Sequence, residues 1–340
     1  MKAIRFHTHG GPEVLRFEEA PDPIPGPGQA LVRVRACALN HLDLWQRRGM
    51  ERVQIPFPHI SGADVAGEVI ASPNGEFAPG RRVMLQPGLS CGRCVACLDG
   101  RDNECPHYDV LGYRSDGGYA EHVVVPVQNL IAIPDEIGFV EAAAFPLVFL
   151  TAWHMLVTRA RLRAGEDVLV LGAGSGVGQA AIQIAWLHGA RVFATAGTDE
   201  KLAKARQLGA YDVINHNTQD VAAMIKQFTG GRGVDVVVEH VGTATWDRSL
   251  RCMTKGGRLV TCGATTGHDA RIDLRVLFTR QLSLLGSYMG RKAELLRAAQ
   301  FFFAGELKSI VDCTLPLSDA AEAHRRLENR EQFGKIVLVA

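Results

Sequence analysis

The sequence predicts an α/β protein in which a β-rich N-terminal part is joined to a doubly wound domain built on a parallel sheet. Up to about residue 130, short strand candidates such as 30–36 (ALVRVRA) are separated by turn clusters such as 21–28 (PDPIPGPG). This pattern is typical of an irregular barrel or sandwich. From about residue 150, short strands that are apolar throughout alternate with helices, which indicates a parallel sheet covered on both faces.

The change of pattern sets the expected domain boundaries. We expect residues 1–149 to form the β-rich domain, 150–287 to form the doubly wound domain, and 288–340 to return to the first domain. The C-terminal part contributes two helical stretches and a final apolar strand at 336–339. The predicted strands of the doubly wound sheet are 168–171, 191–195, 213–215, 234–238, 258–262 and 282–285.

Composition and charge exclude several classes of protein. Of the 340 residues 47% are hydrophobic, and 37 Lys and Arg nearly balance 36 Asp and Glu, which gives a net charge of +1. This balance argues against nucleic acid or an anionic membrane surface as a partner. The most apolar stretch, 142–157, is interrupted by Pro146, Thr151 and His154, so no membrane span is expected. We expect a cytoplasmic protein whose eight cysteines are thiols or metal ligands rather than disulfides.

A glycine-rich turn, 172–178 (GAGSGVG), separates the first strand of the doubly wound domain from a helix. Small residues let the backbone approach a pyrophosphate closely, and the helix N-terminus offers unpaired N–H groups. The literal G-x-G-x-x-G spacing is absent, because Ala173 and Ser175 stand at its first two glycine positions when Gly178 is the last. The strand–turn–helix context still predicts a dinucleotide site, with a purely structural turn as the alternative. The expected cofactor contacts are Gly174, Ser175, Gly176, Val177 and Gly178.

The end of the second strand bears on the choice of cofactor. NAD sites usually place an acid there to bind the ribose 2′-hydroxyl. This chain reads Thr195-Ala196-Gly197-Thr198, with no acid until Asp199. A 2′-phosphate is then not repelled, Gly197 and Thr198 can donate hydrogen bonds, and Lys201 can supply a positive charge. We therefore expect NADPH as the cofactor, with NADH as the alternative. The competing interpretation of Lys201 is a solvated helix residue that binds no phosphate.

Four cysteines lie close together near residue 100 with the spacing C-x2-C-x2-C-x7-C. Four thiolates on one short lobe can surround Zn²⁺ as a tetrahedron, and a complete sulfur shell leaves no open position for chemistry. The pattern therefore predicts one structural zinc, with an iron–sulfur cluster as the alternative. The predicted ligands are Cys91, Cys94, Cys97 and Cys105.

Segments spread over nearly the whole chain fit one family pattern: GGPEVL (10–15), VRVRACALNHLDLW (32–45), SGADVAGEV (61–69), the cysteine lobe, GGYAEHVVVP (117–126), LTAW (150–153), the glycine turn and FGKIVL (333–338). With these segments the chain resembles the medium-chain dehydrogenase/reductase superfamily, which includes zinc alcohol dehydrogenases and quinone oxidoreductases. The resemblance implies a GroES-like catalytic domain and a Rossmann domain inserted before the C-terminal return. It also implies a homodimer or homotetramer, with strand 282–285 as a pairing edge.

The reaction centre departs from the zinc alcohol dehydrogenases that the chain resembles. In those enzymes a Cys, a His and a second Cys hold the catalytic metal, and a Glu lies beside the His. By this resemblance Asn40 stands at the first Cys, Ala63 at the His, Asp64 at the Glu and Leu147 at the second Cys, while Leu42 replaces the proton-relaying hydroxyl. Alanine and leucine cannot coordinate a metal, so the reaction centre is similar to that of the zinc-free quinone oxidoreductases.

The same resemblance implies roles for individual residues. An Asn matching Asn40 lies near the nicotinamide and the substrate in that branch, and Thr151 and Val177 match positions against the nicotinamide ring. We therefore take Asn40 and Thr151 as candidate catalytic residues. The positions that match phosphate-binding residues of the family are Lys201 and His216 at the 2′-phosphate and Lys335 near the cofactor phosphates.

These residues favour reduction of an electrophilic acceptor over oxidation of a simple alcohol, whose alkoxide needs a Lewis acid near neutral pH. Hydride added to a quinone, or to the β-carbon of an α,β-unsaturated carbonyl, places charge on an oxygen that the Asn40 amide, a backbone N–H or water can hold. The sequence therefore predicts an NADPH-dependent reductase of a small-molecule quinone or enone. Two alternatives stay open: an alcohol dehydrogenase with an altered metal site of His41, His59 and Asp64, and a non-catalytic cofactor-sensing protein.

Overall fold

The computed structural model of the protein describes residues 1–50 and 53–340. The chain forms two compact units, one made of Met1–Leu147 with Arg291–Ala340 and the other of Val148–Gly290. The boundaries expected from the sequence, after residues 149 and 287, lie within a few residues of these divisions. The last 50 residues of the chain thus belong to the same unit as the N-terminal part.

The first unit is built around a seven-stranded sheet. The Gln29–Ala38 strand pairs with three others, and its residues Ala30, Val32 and Val34 are buried in the core because side chains alternate between the faces of a strand. On one side of it lies Asp64–Ala71, and on the other lies the C-terminal strand Lys335–Val339. The remaining strands of this sheet are Arg82–Leu85, His122–Pro126, Leu130–Ala132 and Val311–Pro316.

Short elements complete the first unit. Two further two-stranded sheets join Lys2–Arg5 to Arg16–Glu19 and Gly88–Leu89 to Asp109–Val110. Its helices are His41–Arg48, Val95–Leu98, Phe139–Ala143, Lys292–Phe303 and Ala320–Glu328, with 3₁₀ turns at Pro12–Val14, Pro73–Gly75, Asp102–Glu104, Val127–Asn129 and Leu317–Asp319.

The second unit contains a six-stranded, entirely parallel sheet. Across the sheet the strands run in the order Asp212–Asn215, Arg191–Ala196, Asp167–Val170, Val234–Glu239, Met253–Thr261 and Ser283–Gly286. The first strand in sequence is thus central, which is the order of doubly wound dinucleotide-binding sheets. Its helices are Gly176–Leu187, Asp199–Gln207, Val221–Phe228, Trp246–Cys252 and Leu274–Thr279, and Pro146–Trp153 leads into a π-helical turn at His154–Arg159.

The predicted fold class is confirmed, but several short elements escaped the sequence analysis, among them one strand and one helix. The edge strand Val311–Pro316 has alternating half-buried and exposed residues and includes Asp312, Cys313 and a proline, so its strand signal is weak. The helix Val221–Phe228 is only eight residues long and was not anticipated. None of the described helices is long and apolar enough to cross a membrane.

The Ser283–Gly286 strand lies at an edge of the parallel sheet, as the sequence suggested. Large apolar side chains near it in the sequence are exposed, with Phe278 at 67% and Tyr288 at 58%. An edge strand with exposed apolar neighbours favours pairing with another chain. We therefore predict that the protein assembles from two or four copies through this edge.

Light scattering after size exclusion tests this assembly. The parent should elute at two or four times the chain mass of 36.9 kDa. Phe278→Asp should shift the population toward the single chain, because a carboxylate cannot be buried unpaired in an apolar contact. Ile24→Asp is the matched control, since Ile24 is also exposed but lies in the first unit. A monomeric parent, or equal behaviour of the two variants, would contradict the prediction.

Candidate active site and cysteine lobe

The first unit buries a cluster of three polar side chains, Asn40, Asp64 and Lys335, which we call the Asn40 cluster. Asn40 follows the Gln29–Ala38 strand and precedes the first helix, Asp64 begins the neighbouring strand, and Lys335 begins the C-terminal strand. Their exposed fractions are 6%, 0% and 2%. Each residue therefore reaches the cluster from the end of a strand in the same sheet.

The hydrogen bonds of the cluster are short and mutually consistent. The Lys335 ammonium donates to Asn40 Oδ1 over 2.6 Å and to Asp64 Oδ2 over 2.9 Å. Asn40 Nδ2 donates to the same Asp64 oxygen over 2.9 Å, and the Leu147 backbone N–H donates to Asp64 Oδ1 over 2.8 Å. Because an ammonium only donates and a carboxylate only accepts, these partners fix which end of the Asn40 amide is the oxygen.

This geometry changes the role expected for Asn40. We expected its amide to hold the charge on the substrate oxygen, but the amide donor faces Asp64 and the amide oxygen faces Lys335. Asn40 Nδ2 also makes a long contact of 3.5 Å with the Ala38 carbonyl oxygen. Both ends of the Asn40 amide therefore have partners inside the cluster, which favours a positioning role, and its catalytic role stays a prediction.

The contacts of Lys335 described here lie within the first unit, where its ammonium binds Asn40 and Asp64. Its position near the cofactor phosphates, which the family resemblance implies, stays a prediction. Gly334 makes this placement possible, because its φ is +96° and a Cβ there would lie 2.2 Å from the Ile310 carbonyl oxygen. The strand can then begin at Lys335, whose own N–H donates to that carbonyl over 2.8 Å.

A second buried carboxylate, Asp43, supports Asn40 from the first turn of the helix. Its Oδ2 accepts the Asn40 backbone N–H over 2.7 Å and the Tyr119 hydroxyl over 2.9 Å, so Asp43 serves as a helix cap. Burial raises the pKa of Asp43 to about 6, against the lowering effect of these two donors. Tyr119 is completely buried, and burial together with the Asp43 charge raises the pKa of its hydroxyl.

The alternative prediction, a metal site formed by His41, His59 and Asp64, is wrong. Among residues 1–50 and 53–340, four cysteines form the one group of three or more His, Cys, Asp or Glu side chains placed to hold a metal. His59 is fully buried and directs Nε2 to the Gly112 carbonyl oxygen over 3.0 Å. Burial also lowers the pKa of His59. Asp64 is engaged by Lys335 and Asn40 instead.

The four predicted cysteines converge on one point of the first unit. The Sγ atoms of Cys91, Cys94, Cys97 and Cys105 all lie within 4.8 Å of one another. The Cys94–Cys97 and Cys91–Cys97 sulfur separations are 3.5 and 3.9 Å. A tetrahedral zinc with Zn–S bonds of about 2.3 Å requires sulfurs roughly 3.8 Å apart, so the lobe fits a structural zinc. Backbone N–H groups of Cys91 and His107 donate to the Cys105 sulfur and orient it within the lobe.

The glycine turn is preorganised in the second unit. The Gly172 N–H donates to Thr195 Oγ1 over 3.2 Å, and Ser175 caps the following helix by accepting the Gly178 N–H over 2.8 Å. A Cβ on Gly178 would lie 2.2 Å from the Gly172 carbonyl oxygen, so glycine is required for this close approach. His240, which the sequence analysis missed, supports the turn with Nε2 2.8 Å from the Leu171 carbonyl oxygen and 3.4 Å from the Ser175 hydroxyl.

The predicted cofactor residues Gly174, Ser175, Gly176 and Val177 are partly exposed, so a dinucleotide can reach their backbone. Thr151 is 95% buried in the Pro146–Trp153 helix of this unit. The fit to a dinucleotide rests on the close glycine approach and on the partly exposed N-terminus of the Gly176–Leu187 helix.

Two of the residues expected at a 2′-phosphate, Thr198 and His216, lie next to Gly197. A Cβ on Gly197 would approach His216 Nε2 to 3.2 Å and Asn217 Nδ2 to 2.9 Å, so glycine keeps open the space beside these two side chains. Thr198 caps the next helix and accepts the Lys201 backbone N–H over 3.3 Å. The nearby acid, Asp199, directs Oδ1 to the Asn215 amide over 3.0 Å.

Comparison with known proteins is consistent with both units. The family model described as alcohol dehydrogenase GroES-like domain matches residues 26–135, and that described as zinc-binding dehydrogenase matches residues 176–304. The quinone oxidoreductase of Pongo abelii is 30% identical, over all of this chain and 98% of that protein. The 2-haloacrylate reductase of a Burkholderia species is 31% identical, over 99% and 98% of the two chains.

A solved structure described as an NAD-dependent alcohol dehydrogenase is 48% identical with a TM-score of 0.97, and each chain is fully covered. The chain belongs to the zinc-type medium-chain dehydrogenase/reductase superfamily. Within that superfamily it is an NAD(P)-dependent oxidoreductase, because the family model and its relatives are enzymes of this kind.

The cysteine lobe generates a prediction about metal content. Purified protein should contain one zinc per chain, and Cys97→Ser should lose it. The melting temperature should fall by about 5–10 °C, because a structural site contributes to folding and each kcal/mol lost shifts it by about 2–4 °C. Elemental analysis and calorimetry measure both effects. Cys313→Ser is the control, since this half-buried thiol is separate from the lobe. Two zincs per chain, or iron with a visible chromophore, would contradict the prediction.

Proposed function

We propose that the protein is an NADPH-dependent reductase that transfers hydride to a quinone or an α,β-unsaturated carbonyl without a catalytic metal. The observation that carries this proposal is the Asn40 cluster, in which the Lys335 ammonium binds the Asp64 carboxylate and the Asn40 amide. At the positions where the family's alcohol dehydrogenases hold their catalytic zinc, this chain has Asn40, Ala63 and Leu147. Such a set does not fit Zn²⁺, which requires three N, O or S ligands in catalytic sites.

The second unit supports the cofactor part of the proposal. Unpaired N–H groups at the start of the Gly176–Leu187 helix would bind the pyrophosphate. Lys201 and His216 would bind the 2′-phosphate beside Gly197. The Asp199 carboxylate, whose charge would repel a 2′-phosphate, accepts a hydrogen bond from the Asn215 amide. When bound, NADPH supplies the hydride.

The choice of acceptor follows from what the first unit offers. A quinone becomes a hydroquinone, and an enone a saturated carbonyl, by gaining one hydride and one proton. Neither reaction needs an alkoxide to be formed from an alcohol, which is the step that a Lewis acid assists. Because the Asn40 amide is engaged by Lys335 and Asp64, water or a backbone N–H would hold the charge on the acceptor oxygen, and water would deliver the proton.

The names of similar proteins favour two different functions. Relatives at 30–31% identity are quinone oxidoreductases and a haloacrylate reductase, whose names describe reductive chemistry on an activated acceptor. The structure at 48% identity is called an NAD-dependent alcohol dehydrogenase, which favours alcohol oxidation as the second candidate. The Asn40 cluster favours the reductase, because a shared fold does not determine the chemistry of a site.

Cofactor preference gives the first test. NADPH should bind more tightly than NADH, and Lys201→Ala should reduce the ratio of dissociation constants by roughly tenfold to a hundredfold. That loss corresponds to a hydrogen bond to a charged group, worth about 1.5–3 kcal/mol. Fluorescence titration measures both constants. Lys204→Ala is the matched control, because Lys204 lies on the same helix and pairs with Glu200 over 2.7 Å. Equal affinities in the parent, or equal effects of the two variants, would contradict the assignment.

Acceptor chemistry gives the second test. NADPH oxidation should be fast with quinones or enones and unaffected by a chelator, under conditions where elemental analysis shows that the lobe zinc is retained. Ethanol oxidation in the reverse direction should be slower by several orders of magnitude, because no Lewis acid stabilises the alkoxide. Stopped assays on one preparation measure both reactions. Rapid ethanol oxidation that the chelator abolishes would support the alcohol dehydrogenase instead.

A further inference from the structure

We propose that Glu239 positions the nicotinamide half of the bound dinucleotide, by fixing the loop that follows its own strand. This loop, residues 240–245, joins the Val234–Glu239 strand to the Trp246–Cys252 helix, and we call it the Glu239 loop. Glu239 acts through the loop and does not itself have to touch the cofactor. This role applies to either nicotinamide dinucleotide and does not depend on which acceptor the enzyme reduces.

The Glu239 carboxylate is completely buried, and four uncharged donors bind it. Its Oε1 accepts the backbone N–H groups of Val241 over 2.6 Å and of Gly242 over 3.0 Å. Its Oε2 accepts the hydroxyls of Thr245 over 2.9 Å and of Ser249 over 2.8 Å. Burying a carboxylate is costly, and these hydrogen bonds offset that cost. The end of the strand and the backbone of the loop are therefore fixed to each other.

The Glu239 loop is also bound to loop 262–273, which follows the neighbouring strand of the parallel sheet. The Thr266 N–H donates to the Val241 carbonyl oxygen over 2.8 Å. Gly242 has a φ of +95°, and a Cβ there would collide with the Gly267 carbonyl oxygen. Glycine is therefore required at this approach, and the two loops hold each other at the carboxyl edge of the sheet.

His240 connects the Glu239 loop to the glycine turn. It directly follows Glu239, and its Nε2 lies 2.8 Å from the Leu171 carbonyl oxygen. A Cβ on Gly172 would lie 3.2 Å from the His240 Cε1 atom, so the imidazole packs directly against the turn. The Val241 N–H that Glu239 binds is the next backbone group after this ring. Releasing that N–H would therefore loosen the side of the glycine turn that His240 forms.

The order of the strands indicates which half of the dinucleotide the Glu239 loop borders. In doubly wound sheets a dinucleotide lies across the crevice where the strand order reverses, at the carboxyl ends of the strands. Here that crevice lies between Asp167–Val170 and Val234–Glu239, which pair in parallel. The glycine turn and Gly197 follow strands on one side of it, where we expect the pyrophosphate and the adenosine. The Glu239 loop follows the strand on the other side, which leaves the nicotinamide half beside it.

The test compares a whole dinucleotide with its own adenosine half. The probes are NADPH with 2′,5′-ADP and NADH with ADP, and the pair whose dinucleotide binds the parent more tightly is used. Glu239→Met removes every acceptor from the loop, and Glu239→Asp keeps the charge but shortens its reach. Asp is the second disrupting variant if Met does not fold. Glu239→Gln keeps the length and one acceptor oxygen.

Titration calorimetry measures the dissociation constants. We expect Glu239→Met and Glu239→Asp to weaken binding of the whole dinucleotide by roughly tenfold or more, the scale of one lost hydrogen bond to a charged group. The adenosine half should bind as it does to the parent. Glu239→Gln should restore dinucleotide binding, because its amide oxygen can accept the loop N–H groups and its amide N–H groups can donate to the two hydroxyls.

Asp167→Asn is the matched control. Asp167 is a second buried carboxylate of the same sheet, 2% exposed, but it lies at the amino end of its strand. There it pairs with Arg191 and Arg232, each over 2.6 Å. This variant should lower the melting temperature and leave both dissociation constants unchanged, which separates the stability of the unit from the placement of the loop.

Two results would overturn the proposal. If the disrupting variants weakened the dinucleotide and its adenosine half equally, Glu239 would serve only the fold of the second unit. If folded Glu239→Met or Glu239→Asp bound the dinucleotide as tightly as the parent, the Glu239 loop would not position the nicotinamide half.

Discussion

The buried ion pair between Lys335 and Asp64 is the interaction on which the reaction centre depends. It joins residues that are 271 positions apart in the sequence, and Asn40 completes it from a third segment. Removing one partner of such a pair usually costs about 3–5 kcal/mol, because the other charge is left buried and uncompensated. The C-terminal return of the chain is therefore part of the site and not only an extra strand of the sheet.

This interaction also explains how a chain similar to both alcohol dehydrogenases and quinone oxidoreductases can have one kind of chemistry. The GroES-like unit and the parallel sheet belong to the scaffold that both branches share. Overall identity is determined mainly by this scaffold, whereas the reaction is determined by a few buried side chains. In this chain those side chains form a closed network of hydrogen bonds around an ammonium.

Local signals made much of the molecule predictable. The alternation of strands and helices, the small residues of the glycine turn and the cysteine spacing each act over fewer than about 20 residues, and each predicted element or cluster is present. Gly178 is an example, since the turn it permits can be deduced from its neighbours alone. The weak edge strand Val311–Pro316 was missed because its pattern is only half-buried.

The long-range contacts could not be predicted in the same way. Lys335 and Asn40 are 295 residues apart, and only the register of the C-terminal strand brings them together. Family resemblance directed attention to the cofactor phosphates instead. His240 lies in none of the quoted segments, and Tyr119 lies in the 117–126 segment without an assigned role, so their roles follow from their contacts with the glycine turn and with Asp43. For Asn40 and Lys335 the one available sequence signal was a polar residue beside the end of a predicted apolar strand.

Anomalous diffraction at the zinc absorption edge, on crystals grown with zinc and soaked with NADPH, shows where metal binds in this chain. We predict one anomalous peak per chain, between the four cysteine sulfurs, with Lys335 Nζ within hydrogen-bond distance of Asn40 and Asp64. A second peak within coordination distance of Asn40 or Asp64, with the lysine displaced, would contradict it.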